Sequence, residues 1–411
     1  MLNLYREHQG KIILGAVVLA FVLGITVPHL FKQLEFISST FINLLKLCAL
    51  PIVLTSLIVA IGGLKQLREL KTVARNSIIY IILTEIIAVT IGLIVFNVVD
   101  IGTNINASSL LSGAKYTESS STVIDPSHIF NYIFPANIFQ SLANFDILPV
   151  VAFSIMFGIC CALHHEKARP ILQVMISTRE MFLVLLSGVM YLAPLAIFVL
   201  IGTSVSDSYM HGSLGVNLIG LLKFVGLFFV ALFIHFLWQI LLVAVLYRHL
   251  LIRRILRKCL PIFTTAFISS SSLATLPLAI EKALELGGKN KVVNFMLPIC
   301  ASMNFASGMM YEIAACLFFM HILGIHPDVT HQVLLALACI LTGIAVGGIP
   351  ETSMVSFVTV FGMAGIPLSA IAILMPLDRI VDRVRTMVNI FGNTCGTLIV
   401  SKTLGEDNSI V

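Results

Sequence analysis

Charge is what this sequence has least of. Asp, Glu, Lys and Arg make up 11% of its 411 residues, while 58% are hydrophobic; a soluble domain carries about a quarter charged residues. That scarcity excludes a soluble fold. Strict alternation of apolar and polar residues is also missing. The apolar runs are long and continuous, which excludes a porin-type barrel. The 8 cysteines form no CxxC pair and no Cys/His cluster with metal spacing. Most (Cys48, Cys160, Cys161, Cys300, Cys316, Cys395) sit inside apolar segments and read as small buried hydrophobes. No nucleophile–base pair stands out, so neither an enzyme nor a cofactor is expected. The net charge of +5 is spread over loops and reports topology, not nucleic-acid binding. No small-residue cleavage site follows the first apolar run near Lys11, so that run reads as a retained helix.

What remains is an all-α polytopic membrane protein. The pattern predicts helices over about 11–28, 36–63, 76–98, 146–163, 178–203 (interrupted at Pro194) and 214–247. Asp207 and His211 mark the loop after the fifth. Basic residues follow the second helix (Lys65, Arg68, Lys71, Arg75), the fourth (Lys167, Arg169) and the sixth (Arg248, Arg253, Arg254, Arg257, Lys258). The loops after the first, third and fifth are nearly free of Lys and Arg. The positive-inside rule therefore places the amino terminus in the cytoplasm.

After residue 258 the alternation fails. Segment 259–285 is apolar but holds SSSSLATLP (Ser269 to Pro277) at its centre and has basic flanks on both sides. It should enter and leave on the cytoplasmic face. Open backbone at membrane depth is tolerated only inside protein or beside water, so the serines suit the tip of a re-entrant hairpin. A seventh helix over about 292–323 contains NFASGMM (Asn304 to Met310), an interruption softened by small residues. Segment 333–370, with TGIAVGGIPETS (Thr342 to Ser353) at its centre, repeats the hairpin from the other face. The last segment, MPLDRIVDRVRTMVNIFGNTCGTLIVSK, sets Asp378, Asp382, Arg385, Asn389 and Asn393 on one helical face. A charge at the bilayer centre costs at least ~2.5–3.5 kcal/mol, so such residues face a cavity and carry function. Two oppositely oriented hairpins around broken helices form the sequence signature of an inverted-repeat transporter, with its site near the midplane.

These stretches resemble the dicarboxylate/amino acid:cation symporters, the glutamate transporter-like family. The resemblance covers nearly the whole chain. LPIVLTSLIVAIGG (Leu50–Gly63), ANFDILPVVAFSIMFGI (Ala143–Ile159) and YLAPLAIF (Tyr191–Phe198) support it. SSSSLATLP, the Pro350–Pro367 hairpin and DRVRTMVNIFGN carry it. It implies eight transmembrane helices plus two re-entrant hairpins in an elevator-type fold, assembled as a homotrimer. Residues 1–70 and 106–213 would belong to a trimerising scaffold, 71–105 and 214–402 to a sliding transport domain, and 403–411 to a cytoplasmic tail. By the same resemblance Asp382 binds the substrate's amino group and Arg385 a side-chain carboxylate. Thr386 and Asn389 complete the pocket. Ser270, Ser271 and Ser272 hold the α-carboxylate. Ile349 and the backbone from Val346 through Gly348 to Pro350 close it. Thr275 supports the tip, and Arg383 lies beside it. The expected substrate is glutamate or aspartate, and the expected location a bacterial inner membrane.

The chain departs from the family at its cation sites. The helix-seven motif Asn-Met-Asp-Gly-Thr is here Asn304, Phe305, Ala306, Ser307, Gly308, and the second sodium carboxylate is Asn393. Hard cations prefer charged oxygen ligands. Weak sodium sites at Asn304, Asn389 and Asn393 are what this leaves. Two acids are candidates for carrying protons instead: Glu312, where proton-coupled members of the family resemble this chain, and Glu85, beside Thr84. The expectation is symport of acidic amino acids with protons and/or sodium. Two alternatives stand beside it: a sodium-coupled carrier of neutral amino acids or C4-dicarboxylates, and a ligand-binding channel or receptor.

Overall fold

A computed structural model describes residues 2–63, 71–99, 136–144, 147–246, 252–346 and 352–404, with isolated positions 101, 105, 110, 111 and 134. Its described secondary structure is helical. The helices are α1 (Leu2–Thr26), α2 (His29–Gly62), α3 (Lys71–Val98), α4 (Ile138–Asn144), α5 (Ile147–Leu163), α6 (His165–Val189), α7 (Ala193–Met210), α8 (Leu214–Leu246), α9 (Ile252–Ser269), α10 (Ser272–Glu285), α11 (Asn290–Met303), α12 (Ala306–Ile322), α13 (Val329–Val346), α14 (Thr352–Met363) and α15 (Ala370–Thr403).

Five described stretches are long and apolar enough to span a bilayer: His29–Val59, Thr72–Val98, Glu166–Met210, Leu214–Val245 and Asn290–Ile322. A span needs roughly 20 apolar residues. Helix α15 has the length but carries its charged stripe. The outward face of α8 shows what surrounds these helices. Leu222, Val230, Phe233, Leu237, Leu241 and Val245 recur at helical spacing and are all exposed. In water such a stripe would be costly; in lipid it is not.

Most of the packing falls in two groups of helices, which meet where α2 packs on α13 and α14 and where α7 packs on α15. In one, α1 packs on α7, and α2 on α5, α6 and α7. In the other, α15 packs on α8, α9, α10 and α11, while α3 packs on α12. Two pairs of packed helices stand where the hairpins are expected. Helices α9 and α10 pack against each other around Ser270 and Ser271, as do α13 and α14. The expected interruption of the seventh helix is a two-residue break. Asn304 (φ −85°, ψ 100°) and Phe305 (φ −113°, ψ 32°) leave the helical region between α11 and α12.

Several boundaries move. The first three helices begin earlier than the apolar runs did, because polar residues extend a helix beyond the bilayer at little cost. The expected fifth helix is two helices joined by a single 3₁₀ turn at Met190–Leu192. Pro194 starts α7 instead of interrupting a span; it lacks an N–H and fits a first turn. Asp207 lies inside α7, not in a loop. Its carbonyl accepts the backbone N–H of His211, which caps the helix.

Helices α3 and α15 approach closely where Tyr80 lies over Gly396. A Cβ added at Gly396 would stand 2.0 Å from Tyr80 Cε1, and the Tyr80 hydroxyl donates to Gly392 O at 2.8 Å. Gly396→Ala should therefore force the ring out, at about 1–3 kcal/mol, and lower the melting temperature in detergent. Tyr80→Phe loses only the hydrogen bond, about 1 kcal/mol. An unchanged melting temperature for Gly396→Ala would refute the close contact.

Candidate functional site

The site is built on the polar stripe of α15, facing the break between α11 and α12 and the two hairpins. Arg385 is its centre. It is only 1% exposed, and one nitrogen, Nη2, donates to Asp378 Oδ1 (2.6 Å), Asp382 Oδ1 (2.9 Å) and Ser353 Oγ (2.9 Å). Both acids lie on its own helix, one and two turns back. Ser353 comes from the first turn of α14. The guanidinium also lies over the Tyr311 ring, 4.7 Å from its centroid, and 5.8 Å from that of Phe305. Its Nε and Nη1 have no hydrogen-bond partner among the described residues. A buried guanidinium with two unused edges is a ready receptor for a carboxylate.

One turn along, Asn389 is held by the helix break. Its Oδ1 accepts both the backbone N–H of Ser307 (3.0 Å) and the Ser307 hydroxyl, with Ser307 Oγ also 3.0 Å from Arg385 O. A further turn along, Asn393 Oδ1 accepts from Asn304 Nδ2 at 2.8 Å. The break thus satisfies freed backbone with side chains of α15. Asn304 Oδ1 and Asn393 Nδ2 remain unpartnered among the described residues.

The first hairpin's tip is strained and open. Ser270 has φ 49°, a left-handed conformation uncommon outside glycine. Ser271 caps α10 by accepting the Ala274 N–H, and the buried Thr275 spends its hydroxyl on Ser271 O at 2.9 Å. Arg383 donates from Nη1 to Phe267 O (2.9 Å) and Ile268 O (3.3 Å), the last carbonyls of α9. It therefore lies beside the serine tip. Cations belong at a helix carboxyl end.

Two acids are fully buried. Glu312 on α12 and Glu85 on α3 are each 0% exposed, and neither carboxylate makes a hydrogen bond of ordinary geometry among the described residues. Glu312 faces Thr342 and Ser356 of the second hairpin and, further off, Arg385 and Asp378. Glu85 faces the Phe305 main chain in the break. Thr84 beside it is buried, and its hydroxyl makes no hydrogen bond of ordinary geometry among the described residues.

With that geometry in place, the comparisons decide the family. The pattern of the sodium:dicarboxylate symporter family matches residues 10–403. This chain belongs to that family. The symporter is 31% identical over 401 residues, 97% of this chain and 93% of the other, to the proton/sodium-glutamate symport protein of Geobacillus stearothermophilus. It is 29% identical over 372 residues, 88% and 83% of the two chains, to the proton/glutamate-aspartate symporter of Escherichia coli K12. It is 26% identical over 412 residues, 98% and 95% of the two, to the C4-dicarboxylate transport protein of Bacillus subtilis 168. It is a membrane transporter and not an enzyme.

Of the residues expected in the symporter's site, Asp382, Arg385, Thr386, Asn389 and Asn393 share the stripe, with Asn304 opposite. Ser270, Ser271, Ser272 and Arg383 meet at the first hairpin's tip. Ile349, Gly348 and Pro350 lie outside the described residues, as does the side chain of Val346. The structure brings three more residues to the stripe. Ser307, Ser353 and Tyr311 contact the stripe across the fold, and no local pattern in the sequence marks such contacts. Asp378 was legible as a member of the stripe; its hold on Arg385, two turns away, was not.

Proposed function

We propose that this symporter imports acidic amino acids, glutamate or aspartate, coupled to protons, with any dependence on sodium reduced. The observation that carries this reading is Arg385, a buried cation with open donor edges next to the acidic Asp382. An acidic amino acid offers one amino group for Asp382, a side-chain carboxylate for Arg385, and an α-carboxylate for the Ser270–Ser272 tip. Thr386 and Asn389 would line the pocket, and by the family resemblance the segment Val346 to Pro350 would close it. The names of the relatives from Geobacillus stearothermophilus and Escherichia coli agree with this substrate class.

Sodium, as co-transported cargo, would need oxygen ligands. The break offers it Ala306 in place of a carboxylate, and an Asn389 oxygen already taken by Ser307. Asn304 Oδ1, the Thr84 hydroxyl and Glu85 are side-chain oxygens left for a weak site. Glu312, buried between the break helix and the second hairpin, is the assigned proton carrier. The two packing groups support a scaffold of α1, α2 and α4–α7 and a transport domain of α3 and α8–α15 that slides as one body. A homotrimer in a bacterial inner membrane, with the amino terminus inside, completes the reading.

One observation favours a second substrate class. Asp382 is bound to Arg385 at 2.9 Å, and an acid held there has no need of an amino group. The Bacillus subtilis relative's name, a C4-dicarboxylate transport protein, points the same way. Uptake into proteoliposomes, with proton and sodium gradients imposed separately and succinate as competitor, separates these readings. Aspartate or glutamate accumulation under a proton gradient alone, unaffected by succinate, is the expected result. Accumulation only with sodium would overturn the coupling, and preferred uptake of succinate would overturn the substrate.

A further inference from the structure

Asp378 has no partner in the substrate arrangement above. Asp382 answers the amino group, Arg385 answers the side-chain carboxylate, and the serine tip answers the α-carboxylate. Asp378 nevertheless makes the shortest contact to Arg385, 2.6 Å, through an oxygen of a side chain that is 13% exposed. It uses the same nitrogen as Asp382 and Ser353. Its surroundings are well defined. Its own helix sets Arg379, Asp382 and Arg385 against it; α14 sets Ser353; α12 sets Tyr311, and beyond it Glu312. Arg385 is thus already matched by two acids before any substrate arrives. An acidic amino acid brings one ammonium for Asp382 and two carboxylates, so a net negative charge joins the buried cluster, and like charges at such range disfavour one another's ionisation.

We propose that Asp378 is an internal stand-in for the substrate's side-chain carboxylate, and that it takes up one proton when an acidic substrate occupies Arg385. The carboxylate of Asp378 accepts the proton from the solution the substrate comes from, its hold on Nη2 weakens, and the guanidinium turns to the substrate. Loss of that proton on the far side restores the Asp378–Arg385 contact and expels the substrate carboxylate. Asp378 is here a positioning residue acting through Arg385. It is distinct from Glu312, whose carboxylate lies between α12 and the second hairpin and makes no contact with that nitrogen.

This inference rests on the acidic-substrate reading, and the test keeps the two apart. Aspartate affinity is measured across pH in detergent-solubilised protein, together with the protons taken up per aspartate bound, followed with a pH-indicating dye in weak buffer. One linked proton weakens binding about tenfold for each unit of rising pH above the site's titration. Asp378→Asn, uncharged but of the same shape, is expected to bind aspartate more tightly than the parent at high pH, with a pH slope shallower by one proton. Asp378→Glu should restore the slope. Glu312→Gln, which keeps Asp378, should still take up a proton with each aspartate. If Asp378→Asn instead binds more weakly at every pH with an unchanged slope, Asp378 is only a brace for Arg385 and the proposal fails. If Asp378→Asn does not fold, Glu312→Gln decides alone: no proton taken up with aspartate overturns the assignment. If no variant, nor the parent, binds aspartate or glutamate at all, the acidic-substrate reading itself is what falls.

Discussion

Arg385→Ala is expected to abolish uptake of acidic amino acids, with affinity for aspartate falling by about two to three orders of magnitude. The side chain is 1% exposed and holds two carboxylates. Removing one member of a buried ion pair costs about 3–5 kcal/mol because the partner is left uncompensated. Here the cost falls twice. Asp378 and Asp382 lose their common cation, and the substrate's side-chain carboxylate loses its receptor. Arg385→Lys should fare little better, since an ammonium cannot present a planar fork while lying on the Tyr311 ring. Radiolabelled aspartate uptake in proteoliposomes, with the amount of folded trimer or monomer controlled by size exclusion, measures this. If Arg385→Ala retained half of the parent's uptake, the guanidinium would not be the carboxylate receptor. If it instead carried alanine or serine well, the arginine's role would be narrowed to side-chain selection.

The second large effect is expected from Glu312→Gln. The direction follows from what symport demands. A proton-carrying acid must be neutral while it crosses with substrate and must lose its proton to let the empty carrier return. Uptake by the parent should therefore fall as external pH rises, since fewer carriers load a proton. Glutamine is permanently neutral, so it mimics the loaded carrier and cannot return empty. Net uptake driven by a proton gradient should fall at least about tenfold, a catalytic-scale loss of the kind seen when a proton-transfer group is removed. Exchange of external for internal aspartate should survive, and it should lose the pH dependence that Glu312 confers. Net uptake that kept the parent's rate and pH profile would remove Glu312 from the mechanism and leave Glu85 as the buried acid to test.

Most of the architecture could be read from one line of sequence because a bilayer allows few solutions. Long apolar runs must be helices, and departures from apolarity at membrane depth have to mean something. The serine run, the Asn304–Gly308 interruption and the charged stripe each departed, and they fall at the turn between α9 and α10, the break between α11 and α12, and the buried cluster around Arg385. Helix ends were less legible. The polar turns that carry α1 and α2 beyond the apolar core have no hydrophobic signature, and Pro194 reads as a kink or a start with equal ease. Partner choice within the site was the least legible. Spacing put Asp378, Asp382 and Arg385 on one face. Only the fold shows that they share one nitrogen, that Ser353 joins them from another helix, and that Asn389 is tied to Ser307. Those are long-range contacts, and sequence periodicity reports only the neighbours along a helix.

The cluster around Arg385 also bears on the membrane potential. Asp378 and Asp382 are set against Arg379, Arg383 and Arg385 on the same helix, so with its acids ionised the stripe carries one surplus positive charge. In the sliding cycle proposed above, that charge would cross the membrane's field together with the site. Each elementary charge that crosses the full potential is worth about 2.3 kcal/mol per 100 mV. An inside-negative cell would therefore draw the site inward, and each proton taken up by an acid of the stripe would add to that pull.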